Sequence, residues 1–232
     1  MPPIQSRLES VRQQIRRAAI KYQRGDDAVQ LLAVSKTRPV EDILQAIEAG
    51  QRRFGESYIQ EALGKIEQLG DLGLEWHFIG RIQGNKTRAI AENFDWVHSI
   101  DSAKQIRRLN DQRPEQLAPL NICLQIKIDD EESKAGIPHE EARELVKTMH
   151  HYPRLVLQGL MTLPAPSEQL DAQRKPFRRL RQLRDELATA ELPLPMLSMG
   201  MTDDLEAAIA EGSTMVRIGT AIFGPRHYPG QA

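Results

Sequence analysis

Eight short apolar runs, alternating with segments of helical periodicity, constrain this chain more than any other feature of it. The runs fall at 31–35, 53–55, 76–79, 96–99, 122–128, 155–161, 196–199 and 214–218, and helical patterns occupy 40–49, 57–69, 85–93, 102–110, 138–150, 167–189 and 203–211. Strand followed by helix, repeated, is the pattern of a parallel sheet, because parallel neighbours need a crossover and a helix supplies it. Eight such units in 232 residues predict an α/β chain folded as a single (β/α)8 TIM barrel, near the small end of that fold's range. A doubly wound open sheet is the alternative. No Gly-x-Gly-x-x-Gly follows the first run, which argues against the dinucleotide site such a sheet would carry. Ahead of the first unit, Ile4, Leu8, Val11, Ile15, Ala18 and Tyr22 recur at helical steps, so residues 3–24 read as an extra N-terminal helix stopped at Gly25. No linker or repeat beyond the strand–helix unit interrupts the chain, so residues 1–232 are expected to form one domain.

Composition narrows the partners. Thirty-one Lys and Arg against 32 Asp and Glu leave a formal charge of −1, so no global field selects nucleic acid or an anionic membrane, and any anion site is local. No stretch approaches the roughly 20 apolar residues of a membrane span, and the first residues lack the apolar core of a signal peptide. The lone cysteine, Cys123, sits in an apolar run and reads as a buried structural thiol, which fits a cytoplasmic protein.

In a barrel the reactive groups gather where strands end and the following loops begin, since only there do side chains from different strands converge. The first strand ends Leu32-Ala33-Val34-Ser35-Lys36, and alternation puts Leu32, Val34 and Lys36 on one face, just before Pro39 opens a helix. An ammonium closing a row of apolar side chains is partly desolvated, which favours the neutral amine that attacks an aldehyde. Strands seven and eight end in Ser198-Met199-Gly200-Met201-Thr202 and Arg217-Ile218-Gly219-Thr220. Glycines that admit backbone N–H groups, with hydroxyl donors beside them, suit the phosphate that barrels often hold between these two loops. Lysine and phosphate cup together point to pyridoxal 5′-phosphate (PLP). Arg217, permanently charged and aimed at the ring, would keep a pyridine nitrogen unprotonated and leave the cofactor a weak electron sink.

The segments Leu31-Leu32-Ala33-Val34-Ser35-Lys36, Phe54-Gly55-Glu56-Ser57-Tyr58-Ile59-Gln60-Glu61, Trp76-His77-Phe78-Ile79-Gly80, Gln83-Gly84-Asn85-Lys86, Ser133-Lys134-Ala135-Gly136, Gly159-Leu160-Met161-Thr162, Ser198-Met199-Gly200-Met201 and Val216-Arg217-Ile218-Gly219-Thr220-Ala221-Ile222-Phe223-Gly224 closely resemble the pyridoxal phosphate homeostasis protein family. The resemblance runs in unbroken order over residues 30–228. It implies a barrel of the alanine racemase N-terminal type, Lys36 as the Schiff-base lysine, and a phosphate held by Ser198, Gly200, Gly219 and Thr220. It implies Arg217 beside the pyridine nitrogen, with Ser57, Ile79, Met161, Met199 and Met201 completing the cofactor site. It further implies a protein that buffers or delivers PLP, with apo PLP-dependent enzymes as recipients and no established turnover. Ser57 stands where the family usually has Asn, Thr202 where Ser is common, and Arg81 and Gly84 also depart from the usual residues.

Two other functions compete. An amino-acid racemase of this barrel type needs a second base from a further β-domain; the chain closes at Ala232, and Tyr58, Tyr152 and Tyr228, the tyrosines beyond the N-terminal helix, carry no motif for that role. The same reasoning leads us to expect a monomer. A barrel that binds another phosphorylated metabolite noncovalently is the blander option. Lys134 offers a second amine for transfer of the cofactor. The histidines show no metal-ligand spacing, the run 129–132 reads as a solvated acidic loop, and the basic helix around Phe177, Leu180 and Leu183 reads as a solvated outer face rather than an RNA or membrane contact.

Overall fold

A computed structural model describes residues 2–128 and 135–225. The apolar runs become β1 (Gln30–Val34), β2 (Arg53–Glu56), β3 (Glu75–Phe78), β4 (Trp96–Ile100), β5 (Leu120–Gln125), β6 (Leu155–Met161), β7 (Met196–Ser198) and β8 (Met215–Ile218). Neighbours pair in parallel, and β8 closes on β1 through Leu31↔Val216, Leu32↔Arg217 and Ala33↔Ile218, so the sheet is a closed barrel and not an open one. Outside it lie α1 (Ile4–Lys21), α2 (Val40–Glu48), α3 (Ile59–Leu69), α4 (Thr87–Asn93), α5 (Ala103–Gln112), α6 (His139–Thr148), α7 (Leu170–Leu187), α8 (Leu205–Ala210) and α9 (Thr220–Phe223). Among the described residues no helix is long and apolar enough to cross a membrane.

Strand alternation sorts the side chains into two cores. Leu31, Ala33, Leu197, Met199, Val216 and Ile218 join the large cluster between barrel and helices, whereas Leu32, Cys123, Met161, Met196 and Met215 form a separate cluster inside the barrel. Burial pushes the Cys123 thiol up to about 12, which makes it unreactive. The interior also holds His77, His98, Ser198 and Arg217, all buried, where a barrel of this type is ordinarily filled by branched aliphatics.

The extra helix α1 buries Ile4, Leu8, Val11, Ile15 and Ala18 against α2, α8 and α9, and full burial of a leucine such as Leu8 contributes roughly 1.5–3 kcal/mol. It stops at Lys21, earlier than the periodicity predicts, because Gln23 takes a left-handed φ of 56° and Arg24 turns back to donate to the carbonyls of Ile209 and Ser213. The strand predicted over 122–128 ends at Gln125. There the chain turns to meet its own return, with Ile137 N–H donating to Gln125 O at 2.8 Å and Lys127 N–H to Ile137 O at 3.0 Å. Helix α9, four residues long, is too short to register as a period.

The basic face of α7 is not simply solvated. Arg174, Arg178 and Arg181 converge at 2.7, 2.9 and 3.3 Å on the carboxylate of Glu211, which follows α8 and is 2% exposed. Burial opposes that charge, and hydrogen bonds from Arg178 and Arg174 outweigh it, holding the carboxyl below its usual range. Three of the arginines expected on a solvated outer face therefore clamp α7 to the end of α8.

Candidate functional site

The C-terminal ends of the strands surround a cavity of about 290 Å³. Strand β1 and its loop contribute Val34, Lys36 and Arg38; the loop after β3 gives Ile79; β6 gives Met161 and the residue Leu163 beyond it. Met201, Thr202 and Asp203 follow β7, while Arg217, Gly219 and Thr220 come from β8 and its loop. A second cavity of about 470 Å³ shares Lys36 and Ile79 and is lined also by Ser57, Tyr58, Arg81 and Lys86. Lys36 thus stands between two lobes, with Ser57 in the second.

Lys36 itself lies just past β1, and the backbone on either side of it is clamped. Ser35 donates its hydroxyl to Glu56 Oε1 at 2.6 Å, and Lys65 Nζ on α3 reaches Ser35 O and Glu56 Oε1, both at 2.8 Å. Lys65 also binds Glu61 Oε1 at 2.5 Å, and that oxygen accepts the Thr37 N–H at 2.6 Å. Thr37 has a φ of 62°, a left-handed conformation costly for a β-branched residue, which the surrounding bonds hold in place. Glu56 is fully buried with Oε2 unbonded; burial raises its carboxyl above the usual range, against the pull of Lys65.

Arg217 lies on the inward face of β8, 5% exposed. Its Nη1 donates to Ser198 Oγ at 2.8 Å and its Nη2 to Thr162 O at 2.9 Å, two of the five N–H groups a guanidinium carries. Burial lowers its pKa to about 10, which still leaves it cationic at neutral pH. Beyond Ser198 the contacts continue to His98, His77 and Glu75 inside the barrel, at 2.7, 2.9 and 2.8 Å.

Two glycines shape the opposite rim. Gly200 has a φ of +99°, and a Cβ there would lie 2.6 Å from the Cβ of Ala208, so conformation and space both demand glycine. At Gly219 a Cβ would meet Val34 O at 3.2 Å, where the end of β8 passes close to β1. Gly219 also precedes α9, whose first N–H groups have no partner within the helix.

Of the residues singled out in the sequence, Lys36, Ile79, Met161, Met201, Arg217, Gly219 and Thr220 line the one cavity. Ser57 faces the adjoining lobe. Ser198, expected at a phosphate, instead spends its hydroxyl inside the barrel on Arg217 and His98, since alternation along the short β7 turns it inward. Met199 packs in the outer core, so its side chain cannot reach the cavity, and Gly200 contributes backbone, its carbonyl accepting the Arg217 N–H at 2.9 Å. Lys134 lies outside the described residues. Sequence reading missed Thr162 as an arginine acceptor, Lys65 as the clamp, and the histidine pair. The pair did leave a signal: Glu75 and His77 alternate on one strand as Trp96 and His98 do on the next, and the pairing of His77 with Trp96 sets them on one face.

A closed barrel with a lysine after its first strand and an arginine ending its eighth defines a class, and residues 7–227 match the alanine racemase N-terminal domain family. Within that class the chain is 51% identical over 231 residues to the pyridoxal phosphate homeostasis protein of Escherichia coli K12, covering 98% of this chain and 99% of that one. It is 49% identical over 229 residues to the protein so named in Pasteurella multocida, covering 97% of this chain and 98% of that one. The structure of PipY of Synechococcus elongatus PCC7942 with PLP bound superposes with a TM-score of 0.84 at 36% identity, over 95% of this chain and 100% of that chain. The chain belongs to the pyridoxal phosphate homeostasis protein family.

Proposed function

We propose that this chain holds PLP as a Schiff base on Lys36 and acts in intracellular PLP homeostasis, yielding the cofactor to apo PLP-dependent enzymes. The observation that carries the reading is the meeting of Lys36, Arg217 and the Gly219-Thr220 turn in one cavity of about 290 Å³, close to the lower size of small-molecule pockets. When bound, PLP supplies an aldehyde carbon for the lysine and an electron-withdrawing ring.

The residues fit that group. Lys36 lines both lobes, so its amine can meet an aldehyde carried in from either. Arg217 is fixed by two acceptors and still lines the cavity, in place to face the ring nitrogen. Ile79 and Met161, which line the same cavity, would give the ring apolar contacts. Bare backbone at Gly200 and Gly219, with the Thr220 hydroxyl and the start of α9, would suit the phosphate, whereas the Met201 N–H already donates to Asp204 Oδ1. Ser198 and Met199 act at one remove, the first through Arg217. Asp203 on the same rim is exposed and repels a phosphate, which favours release over retention.

Arg217, cationic and committed as a donor, cannot protonate the ring nitrogen as a carboxylic acid would, so the site favours holding over carbanion chemistry. The test is an absorbance titration of the apo-protein with PLP, followed by incubation with an apo PLP-dependent enzyme whose activity reports transfer. The reading predicts saturable uptake with a new near-visible band and recovery of the acceptor's activity. A protein that stays colourless contradicts it and favours a noncovalent phosphometabolite site.

A further inference from the structure

The barrel interior carries a file of hydrogen bonds that runs from one mouth to the other: Arg217 Nη1 to Ser198 Oγ at 2.8 Å, Ser198 Oγ to His98 Nδ1 at 2.7 Å, His98 Nε2 to His77 Nδ1 at 2.9 Å, and His77 Nε2 to Glu75 Oε1 at 2.8 Å. Its two ends decide the direction of every proton between them. The Glu75 carboxylate only accepts, so His77 donates from Nε2. A neutral His77 then accepts at Nδ1, which forces His98 to donate from Nε2 and accept at Nδ1. The Ser198 hydroxyl must supply that proton, and its oxygen is left to accept from the guanidinium, which only donates. One arrangement satisfies all the links, and it has every proton pointing from Arg217 toward Glu75.

We infer that Glu75, His77, His98 and Ser198 are positioning residues for Arg217: a one-way chain through the barrel that fixes how the guanidinium is presented to the ring nitrogen of the bound cofactor. The inference rests on the PLP reading for its ligand, and on the geometry alone for the chain. Aligned bonds polarise one another, so the oxygen facing the guanidinium is a better acceptor than an isolated hydroxyl. Both imidazoles are kept neutral, by burial first and, at His98, by the charge of Arg217 in addition. Trp96 stacks on His77 at 5.5 Å with 11° between the planes and holds that ring in the file. At the far end Glu75 is gripped by Arg53 at 3.0 Å and borders cavities on the opposite mouth, so the chain reaches a side chain remote from the cofactor site.

A role confined to filling the barrel would be indifferent to proton direction, and that separates the two. In long-range 15N–1H spectra of the apo-protein, His77 and His98 should each show a single neutral Nε2–H tautomer. Glu75→Gln, which keeps an acceptor, should preserve it; Glu75→Leu should give mixed tautomers and weaken PLP binding about threefold, although residue 75 never touches the cofactor. His98→Phe should weaken PLP binding about tenfold. Mixed tautomers in the wild type, or PLP affinity and spectrum unchanged in a folded Glu75→Leu variant, would overturn the inference. A wild type that shows the single tautomers but takes up no PLP would remove the function reading and the ring-nitrogen role together, leaving the chain itself established.

Discussion

Two polar networks flank the cavity, and they hold their charges by different means. Outside the barrel wall, Lys65 gathers Glu56, Glu61 and the Ser35 carbonyl into an ionic knot that pins the backbone on both sides of Lys36. Inside, Arg217 is held by the Thr162 carbonyl and by a file of neutral groups that ends on the Glu75 carboxylate. The ionic knot depends on charge balance and fails when one member is removed. The neutral file depends on proton direction and fails when a link cannot pass the direction on. Lys36, the proposed Schiff-base lysine, thus has an ionic mounting for its backbone, while Arg217, proposed to face the ring, is set by proton direction.

The largest break in this comparison is Lys65→Met. It leaves the fully buried Glu56 without its counter-charge, and losing one partner of a buried pair costs about 3–5 kcal/mol. Urea unfolding of the apo-protein reads the loss, and the double variant Glu56→Gln, Lys65→Met should recover most of it. A loss under about 1 kcal/mol in the single variant would remove the ionic half of the contrast.

Next comes the neutral file. His98→Phe strands the Nδ1 atom of His77 and should cost about 1–3 kcal/mol of apo stability, less than the Lys65 change because no full charge is exposed. Stability should also depend on pH in a defined direction. His77 and His98 stay neutral in the fold, their pKa values lowered by burial, while the unfolded chain takes up protons as pH falls through the usual histidine value of 6.5. The unfolded state then binds more protons, so stability falls below pH 6.5, by at most about 1.4 kcal/mol per pH unit for each ring. Melting of the wild type between pH 7.5 and 5.5 should show the decline, and His98→Phe should flatten it; equal slopes would mean the rings titrate freely.

The smallest effect is at the rim. Asp203→Asn removes an exposed negative charge beside the proposed phosphate position and should tighten PLP binding about two- to fivefold, under 1 kcal/mol, with the gain shrinking in high salt. An unchanged or weaker affinity would place the phosphate elsewhere.

The frame was legible in the sequence because a barrel strand must alternate and each crossover must be helical, so eight runs and their spacing sufficed. Lys36, Arg217 and the glycine turns were legible for the same reason: strand ends converge. What stayed hidden depended on partners far apart in sequence. Glu211 meets α7 only after α8 has packed, so its arginines looked like a surface patch. Ser198 looked like a phosphate ligand because its neighbours are glycines, and only the inward turn of β7 gives its hydroxyl to Arg217. The histidines were weighed for metal spacing along one chain, whereas their contact runs across β3 and β4.

The proposed function turns on one covalent bond, that of Lys36 with PLP. Reducing the PLP-loaded protein with borohydride, digesting it and mapping the modified peptide by mass should place the pyridoxyl group on Lys36, with no near-visible band formed by Lys36→Ala. A loaded protein whose reduced adduct lies on another lysine, or that keeps PLP with no adduct at all, would contradict it.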